Sequence, residues 1–316
     1  LKYANLEFTP QFAEGKNFFS FLKALQYRSK NRFPKQKLPT EFTPLHTLYS
    51  DKPQLVWFGH SSYFIQYQGI NFLIDPVLSG SAAPFSFMVK AFPGVDVYTY
   101  QDFPEIDFLI ITHNHYDHLD LRSIKALAPN IKQAICPQNV IRDLTILSKK
   151  GISMTELNWW QSKQLHPEIE ITATPARHFS RRSLARNTSL WNSYVLQLGN
   201  FKLFLGGDSG HGSHFEAIGK KFERFDLAIL ECGQYNDLWP YIHSIPEQLP
   251  LQAKMLNAQY TLPVHWAKFS LAMHAWNEPI QRFIHAANAS NTNYITPKIG
   301  EKVSLYEEMP LEIWWT

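Results

Sequence analysis

Cysteine is scarce: there are two in 316 residues, Cys136 and Cys232, each within or just after an apolar run. Two separate thiols of that kind read as buried and free. They exclude a disulfide framework and favour a reducing, cytoplasmic setting. Long apolar runs are missing too, since none reaches the roughly 18 residues that a membrane span needs. That excludes a transmembrane helix and leaves peripheral membrane contact open. Charge is low, at 18% of residues with a net of +3. Bulk electrostatics therefore give no case for nucleic acid as a partner, while an anionic substrate is tolerated. No low-complexity stretch or fixed-period repeat occurs. The chain begins at Leu1 rather than Met, which leaves room for a removed leader.

Apolar and aromatic residues, by contrast, are plentiful at 45% and 15%, enough for a large core. Length alone suggests about two domains. The densest chemistry lies in His113-Asn114-His115-Tyr116-Asp117-His118-Leu119-Asp120. It follows Phe108-Leu109-Ile110-Ile111-Thr112, which reads as a buried strand. Five ligand-type residues within eight positions are costly at a strand end unless something binds them. A divalent metal is the natural solution. In a turn His113 and His115 can converge on one ion, and Asp117 and His118 then point to a second position beside it.

Residues 1–51 read as an N-terminal extension. Phe18, Phe19, Phe21, Leu22 and Leu25 recur at helical spacing, followed by a basic stretch and a proline-spaced linker. Such a helix either packs on the main domain, the favoured reading, or touches a membrane surface. The domain proper, 52–316, opens with short β-rich runs at 55–58, 63–67 and 71–74, punctuated by glycines. Residues 78–101 form an aromatic loop suited to a substrate pocket or a satellite core. Helices are expected over 121–127, 140–149, 244–257 and 277–286. Strands are expected over 133–136, 170–174 and 261–264, with a hairpin at 193–205, an apolar run at 225–230 and a closing strand pair within 294–306. One grammar recurs: an apolar strand, then a ligand-type residue, at Asp75, His113 to His118, His178, Asp208 and His265. Sites in sheet-based α/β folds collect at strand ends, so these distant residues can meet. Strands mixed with helices in both halves suggest helices covering two packed sheets.

The run from His113 to His118 matches the H-x-H-x-D-H signature of the metallo-β-lactamase superfamily. The words Trp57-Phe58-Gly59-His60-Ser61-Ser62, Asp75-Pro76-Val77, Pro175-Ala176-Arg177-His178 and Gly207-Asp208-Ser209-Gly210 narrow the resemblance, as do His243-Ser244-Ile245-Pro246-Glu247 and Pro263-Val264-His265-Trp266. They resemble the N-acyl-phosphatidylethanolamine-hydrolysing phospholipase D branch and its bacterial relatives, from about Leu55 to the last helix. The resemblance implies an αββα sandwich with a dinuclear site at one edge. His113, His115 and His178 would hold one metal; Asp117, His118 and His265 would hold the other, with Asp208 bridging. Nitrogen and carboxylate ligands without thiolate suit zinc, with manganese or iron as alternatives.

The implied activity is hydrolysis of a lipid-like or small phosphodiester, with Asp117, Asp208 and His243 as the catalytic set. His243 is expected to bind substrate phosphate rather than metal. Asp75 and Asp120 are expected either to orient ligand histidines or to make strand-end and cap hydrogen bonds. Arg181, Arg182 and Arg186 are offered to phosphate or to solvent. His60 either approaches the site or makes a structural hydrogen bond, and His214 follows Asp208 closely. Rival readings are a dinuclear hydrolase of a lactone, amide or cyclic phosphate, a diiron redox protein, or a non-catalytic binding protein. The last two fit less well, because no flavin-binding region follows His265 and no ligand is missing.

Overall fold

A computed structural model describes residues 2–182 and 185–316. The first half supplies strands β1 (Gln54–Trp57), β2 (Tyr63–Tyr67), β3 (Ile70–Ile74), β4 (Ile106–Ile110), β5 (Ile131–Pro137) and β6 (Ser153–Leu157). The second half supplies β7 (Ser162–His166), β8 (Ile169–Pro175), β9 (Asn192–Leu198), β10 (Phe201–Leu205), β11 (Phe225–Glu231) and β12 (Ala258–Val264). Last comes β13 (Lys302–Ser304), which crosses back to pair antiparallel with β1. Two sheets result, in the orders β13-β1-β2-β3-β4-β5-β6 and β12-β11-β10-β9-β8-β7. Pairing is antiparallel from β1 to β3 and parallel from β3 to β6. In the second sheet it is antiparallel from β7 to β10 and parallel from β10 to β12.

Helices cover the outer faces: α2 (Leu121–Leu127), α3 (Thr145–Lys149), α4 (His214–Phe222), α5 (Leu249–Met255) and α6 (Glu278–Ala289), whereas α1 (Phe18–Ala24) buries none of its residues. Side chains alternate between strand faces, so each strand serves two layers. Leu55, Trp57, Phe72 and Ile110 face the second sheet and join Ile171, Leu196 and Leu205 in the central core. Val56, Phe64, Leu73 and Leu109 face outward and pack with Ile124, Leu127 and Leu147 of α2 and α3. Strands buried on both faces read as continuous apolar runs, which is why β4 and β11 were visible in the sequence. This is the expected αββα sandwich. Among the described residues, no helix is long and apolar enough to cross a membrane.

Some local expectations change. The 140–149 helix is a 3-10 turn, Val140–Arg142, followed by the short α3. The 244–257 helix starts with a 3-10 turn at Pro246–Gln248 before α5. Of the closing pair, only β13 forms a strand, while Tyr294 makes a single bridge to Thr261. β6 and β7 are polar and partly exposed, without an apolar run to betray them. The 78–101 loop leaves Phe85, Phe87 and Met88 exposed, while its Ala82 packs with Val77 and Phe269. The β2–β3 hairpin turns at Gln68 and Gly69, both with positive φ (48° and 79°), as a tight twisted turn demands.

Candidate metal centre

The site forms where strand ends of both sheets meet. Non-glycine residues with positive φ gather there, among them His60 (53°), Asp75 (41°) and His265 (70°). Such backbone is costly and persists only where the surroundings impose it. Here they do. His60 N–H donates to Trp266 O and His265 N–H donates to His60 O, each at 2.9 Å, tying the two strand ends together. The indole N–H of Trp57 also donates to His60 O at 2.8 Å, linking the loop to the core. Gly207 takes φ +58°, and a Cβ there would lie 3.0 Å from Thr112 Cβ and 3.2 Å from Asn192 O. Only glycine lets the chain pass this close and aim Asp208 inward.

One group gathers His113, His115, His178 and Asp208, with ligand atoms all within 4.8 Å of one another. His115 Nδ1 lies 2.9 Å from His113 Nε2 and 3.1 Å from His178 Nε2. Nitrogens about 2.0–2.1 Å from a shared tetrahedral ion stand roughly 3.3 Å apart, so the spacing fits a metal. A second group gathers Asp117, His118 and His265 with His60. Asp208 reaches both. Its Oδ1 is 3.0 Å from His118 Nε2 and 3.2 Å from His265 Nδ1, while Oδ2 is 3.8 Å from His113 Nε2 and 3.7 Å from His178 Nε2. His118 Nε2, His265 Nε2 and Asp208 Oδ1 are buried without a well-oriented hydrogen bond. Buried polar atoms left that way are costly, and a cation among them removes the cost.

Electrostatics point the same way. Burial, reinforced by neighbouring imidazoles, holds His113 and His265 well below the ordinary histidine range. Burial also pushes His178 well down and His115 down to about 4. Neutral imidazole is the form that binds metal. For His118 burial opposes the charge, but the Asp208 and Asp117 carboxylates outweigh it and raise the pKa. Asp117 and Asp208 are lowered against the effect of burial, chiefly by His118.

The surrounding shell orients these groups. Asp75 lies 2.7 Å from His118 Nδ1 and accepts from Thr112 N–H at 2.8 Å, so it orients a site histidine. Asp120 does not. It caps α2, accepting from Arg122 N–H at 3.1 Å and Ser123 Oγ–H at 2.6 Å. His178 Nδ1 meets Ile242 O at 2.7 Å, and His265 Nδ1 meets Ser61 Oγ at 2.9 Å. His60 Nε2 is 2.9 Å from Asp117 Oδ2, placing a residue with an open role inside the second group. Arg182 donates to Asn114 O and Leu119 O, so it braces the histidine loop instead of standing free for phosphate. Arg186 lies over Phe179 and donates to Gln11, while Arg181 lines the cavity. His214 Nε2 meets Ser209 Oγ at 2.9 Å and contributes to neither group.

Sequence reasoning missed Glu231. It ends β11, accepts from Ser209 N–H (2.9 Å) and Ser244 N–H (3.1 Å), and lies 2.7 Å from His243 Nδ1. An acid at the end of an apolar strand fits the recurring grammar, so the signal was present. His243 and Glu231 form a further close group with Asp208 and His265.

A cavity of about 350 Å³ opens on both histidine–aspartate groups. Its walls include Phe12, Phe18, Phe21, Phe179, Trp239 and Ile242, and His115, Asp117, Asp208, His243 and His265 lie at its floor. A larger groove of about 690 Å³ beside α5 and α6 contains none of the clustered histidines. Position over the cluster, not size, identifies the relevant cavity.

Residues 70–266 match the beta-lactamase superfamily domain. An uncharacterised protein of Mycobacterium tuberculosis (strain ATCC 25618 / H37Rv) is 35% identical over 264 residues, covering 82% of this chain and 70% of that protein. The N-acyl-phosphatidylethanolamine-hydrolyzing phospholipase D 1 of Caenorhabditis elegans is 26% identical over 306 residues, covering 89% of this chain and 86% of its own. Among solved structures, a metallo hydrolase from Ignicoccus hospitalis superposes with a TM-score of 0.61 at 21% identity, over 80% of this chain and 97% of its own. With the fold and the paired histidine–aspartate groups, these matches establish that the chain belongs to the metallo-β-lactamase superfamily, as a metal-dependent hydrolase.

Proposed function

We propose that the protein hydrolyses a phosphodiester carrying an apolar group, with two divalent ions, zinc by preference, held by the paired clusters. The observation that carries this reading is the aromatic cavity standing directly over both groups. Such a cavity accepts an apolar tail and brings the polar ester to the floor. The relative in Caenorhabditis elegans, named for hydrolysis of a lipid phosphodiester, supports the same substrate class.

In this reading His113, His115 and His178 would hold one ion and Asp117, His118 and His265 the other, and Asp208, with one oxygen toward each set, would serve both. Two such ions, when bound, acidify a shared water and stabilise charge on the attacking and leaving oxygens. The protein's own residues do the rest. Asp75 and Ser61 fix the rings of His118 and His265 from behind, Asp117 is held by His60, and Asp208 keeps both groups in register. His243, braced by Glu231, donates a hydrogen bond to a phosphate oxygen whose charge grows at the transition state. The aromatic walls offer apolar surface to the substrate's tail. Residues 52–316 carry the ligand set, and 1–51 form an extension packed against them that adds Phe12, Phe18 and Phe21 to the cavity wall.

The test is metal analysis of protein purified without chelator, coupled to a substrate screen. Close to two transition-metal equivalents are expected, with turnover of phosphodiesters that rises when an acyl group is attached. Turnover confined to lactones or amides overturns the phosphodiester assignment, and a metal-free active protein overturns the dinuclear one.

A further inference from the structure

Residues 2–9 run as an extended strip whose odd positions face the protein. Tyr3, Asn5, Glu7 and Thr9 are half-buried, while Lys2, Ala4, Leu6 and Phe8 are exposed. The strip lies outside residues 70–266, the stretch that matches the family domain. It is nevertheless fastened to the functional end of the fold. Tyr3 N–H donates to Asn187 O at 2.9 Å, and Tyr3 Oη lies 3.1 Å from Gln138 Oε1. Glu7 Oε1 accepts from Ser213 N–H and Oγ–H, both at 2.7 Å.

Between these anchors Asn5 grips the backbone of His178 at both polar atoms. Its Nδ2–H donates to His178 O at 2.8 Å, and its Oδ1 accepts from His178 N–H at 3.0 Å. The same Oδ1 accepts from Trp191 Nε1–H at 3.1 Å, and Trp191 is fully buried, so the amide cannot drift. His178 follows the end of β8 in a loop that offers its buried backbone no ladder partner. Its ring is held separately through Nδ1 by Ile242 O. Backbone and ring are therefore fixed by two elements far apart in sequence, and the first is supplied by the N-terminal strip.

We propose that Asn5 is a positioning residue for His178, so that the metal group of His113, His115, His178 and Asp208 is completed by a segment outside the family domain. The inference rests on the metal reading above. Groups that orient a ligand typically change metal affinity about 10- to 100-fold when removed. In Asn5→Ala, His178 loses both backbone contacts, and the placement of its Nε2 beside His115 is left to the single Nδ1 contact with Ile242 O.

The experiment measures zinc release to an excess of chelator from the zinc-loaded full chain, for wild type, Asn5→Ala and Tyr3→Phe. Tyr3→Phe loosens the same strip at an anchor that does not touch His178. Near-ultraviolet circular dichroism at saturating zinc verifies that all three share a fold. Asn5→Ala is expected to lose one zinc equivalent about tenfold faster or more, with Tyr3→Phe close to wild type, and excess zinc should restore Asn5→Ala turnover. Release from Asn5→Ala at the wild-type rate overturns the proposal, as does equal acceleration in Tyr3→Phe. A wild-type protein that takes up no zinc, manganese or iron overturns the metal reading itself and the proposal with it.

Discussion

His243 Nδ1 lies 2.7 Å from Glu231 Oε2, and this contact fixes which face of the imidazole looks into the cavity. Burial pushes Glu231 up to about 7. Burial works against charge on His243, but Glu231 outweighs it and raises His243 to about 9. The pair therefore keeps a proton at neutral pH. Glu231 is itself held by two backbone N–H groups, so the arrangement is rigid.

His243→Ala should retain the wild-type metal content and fold while turnover falls about a hundredfold or more, the usual cost of one lost donor. Glu231→Gln should keep the ring in place and lose less, since an amide still accepts from Nδ1–H. Steady-state kinetics with metal analysis of each variant provide the check. A missing metal in His243→Ala identifies His243 as a ligand, and wild-type turnover identifies it as purely structural.

Asp208 is the residue whose two oxygens face different histidine groups. Asp208→Asn replaces one charged oxygen by an amide that cannot ligate as well. Metal content should fall below the wild-type value, with turnover reduced by orders of magnitude. Elemental analysis after gel filtration reads this directly, and an unchanged metal content contradicts the bridging assignment.

His214 is buried and hydrogen-bonded to Ser209, and burial pushes it down to about 3 from an ordinary value of 6.5. Between those limits the unfolded chain binds the proton and the folded chain does not. Stability should therefore rise with pH from about 3 to about 6.5 and this contribution should flatten above. His214→Gln keeps a donor for Ser209 and removes the titration. Its Tm should fall less steeply than wild type on acidification across that window, and parallel curves contradict the assignment.

Local patterns made the sandwich and much of the site legible. β4 and β11 carry the apolar runs Phe108–Ile110 and Leu227–Leu230, and His113 to His118 crowd one loop, so both could be read without neighbours. Glu231 obeys the same strand-then-ligand grammar, as the last residue of β11. Asp75 and Asp120 could not be told apart by type: each is an acid at an element end, and only the third dimension shows that one orients His118 while the other caps α2. Asn5 left no trace at all. Its contact with His178 spans 173 positions and uses backbone atoms, which carry no sequence signature. β6 and β7 escaped for a different reason. They close their sheets at the edges, where polar residues are tolerated and discourage further pairing.

Attack at phosphorus by water in a metal-dependent site is read by turnover of an acylated phosphodiester in isotopically labelled water, with mass spectrometry of both products before and after metal removal. One labelled oxygen is expected on the phosphate product and none elsewhere, with no turnover once the metal is stripped until it is restored. Label found only in a carboxylate product contradicts it, because that places the attack at an acyl carbon.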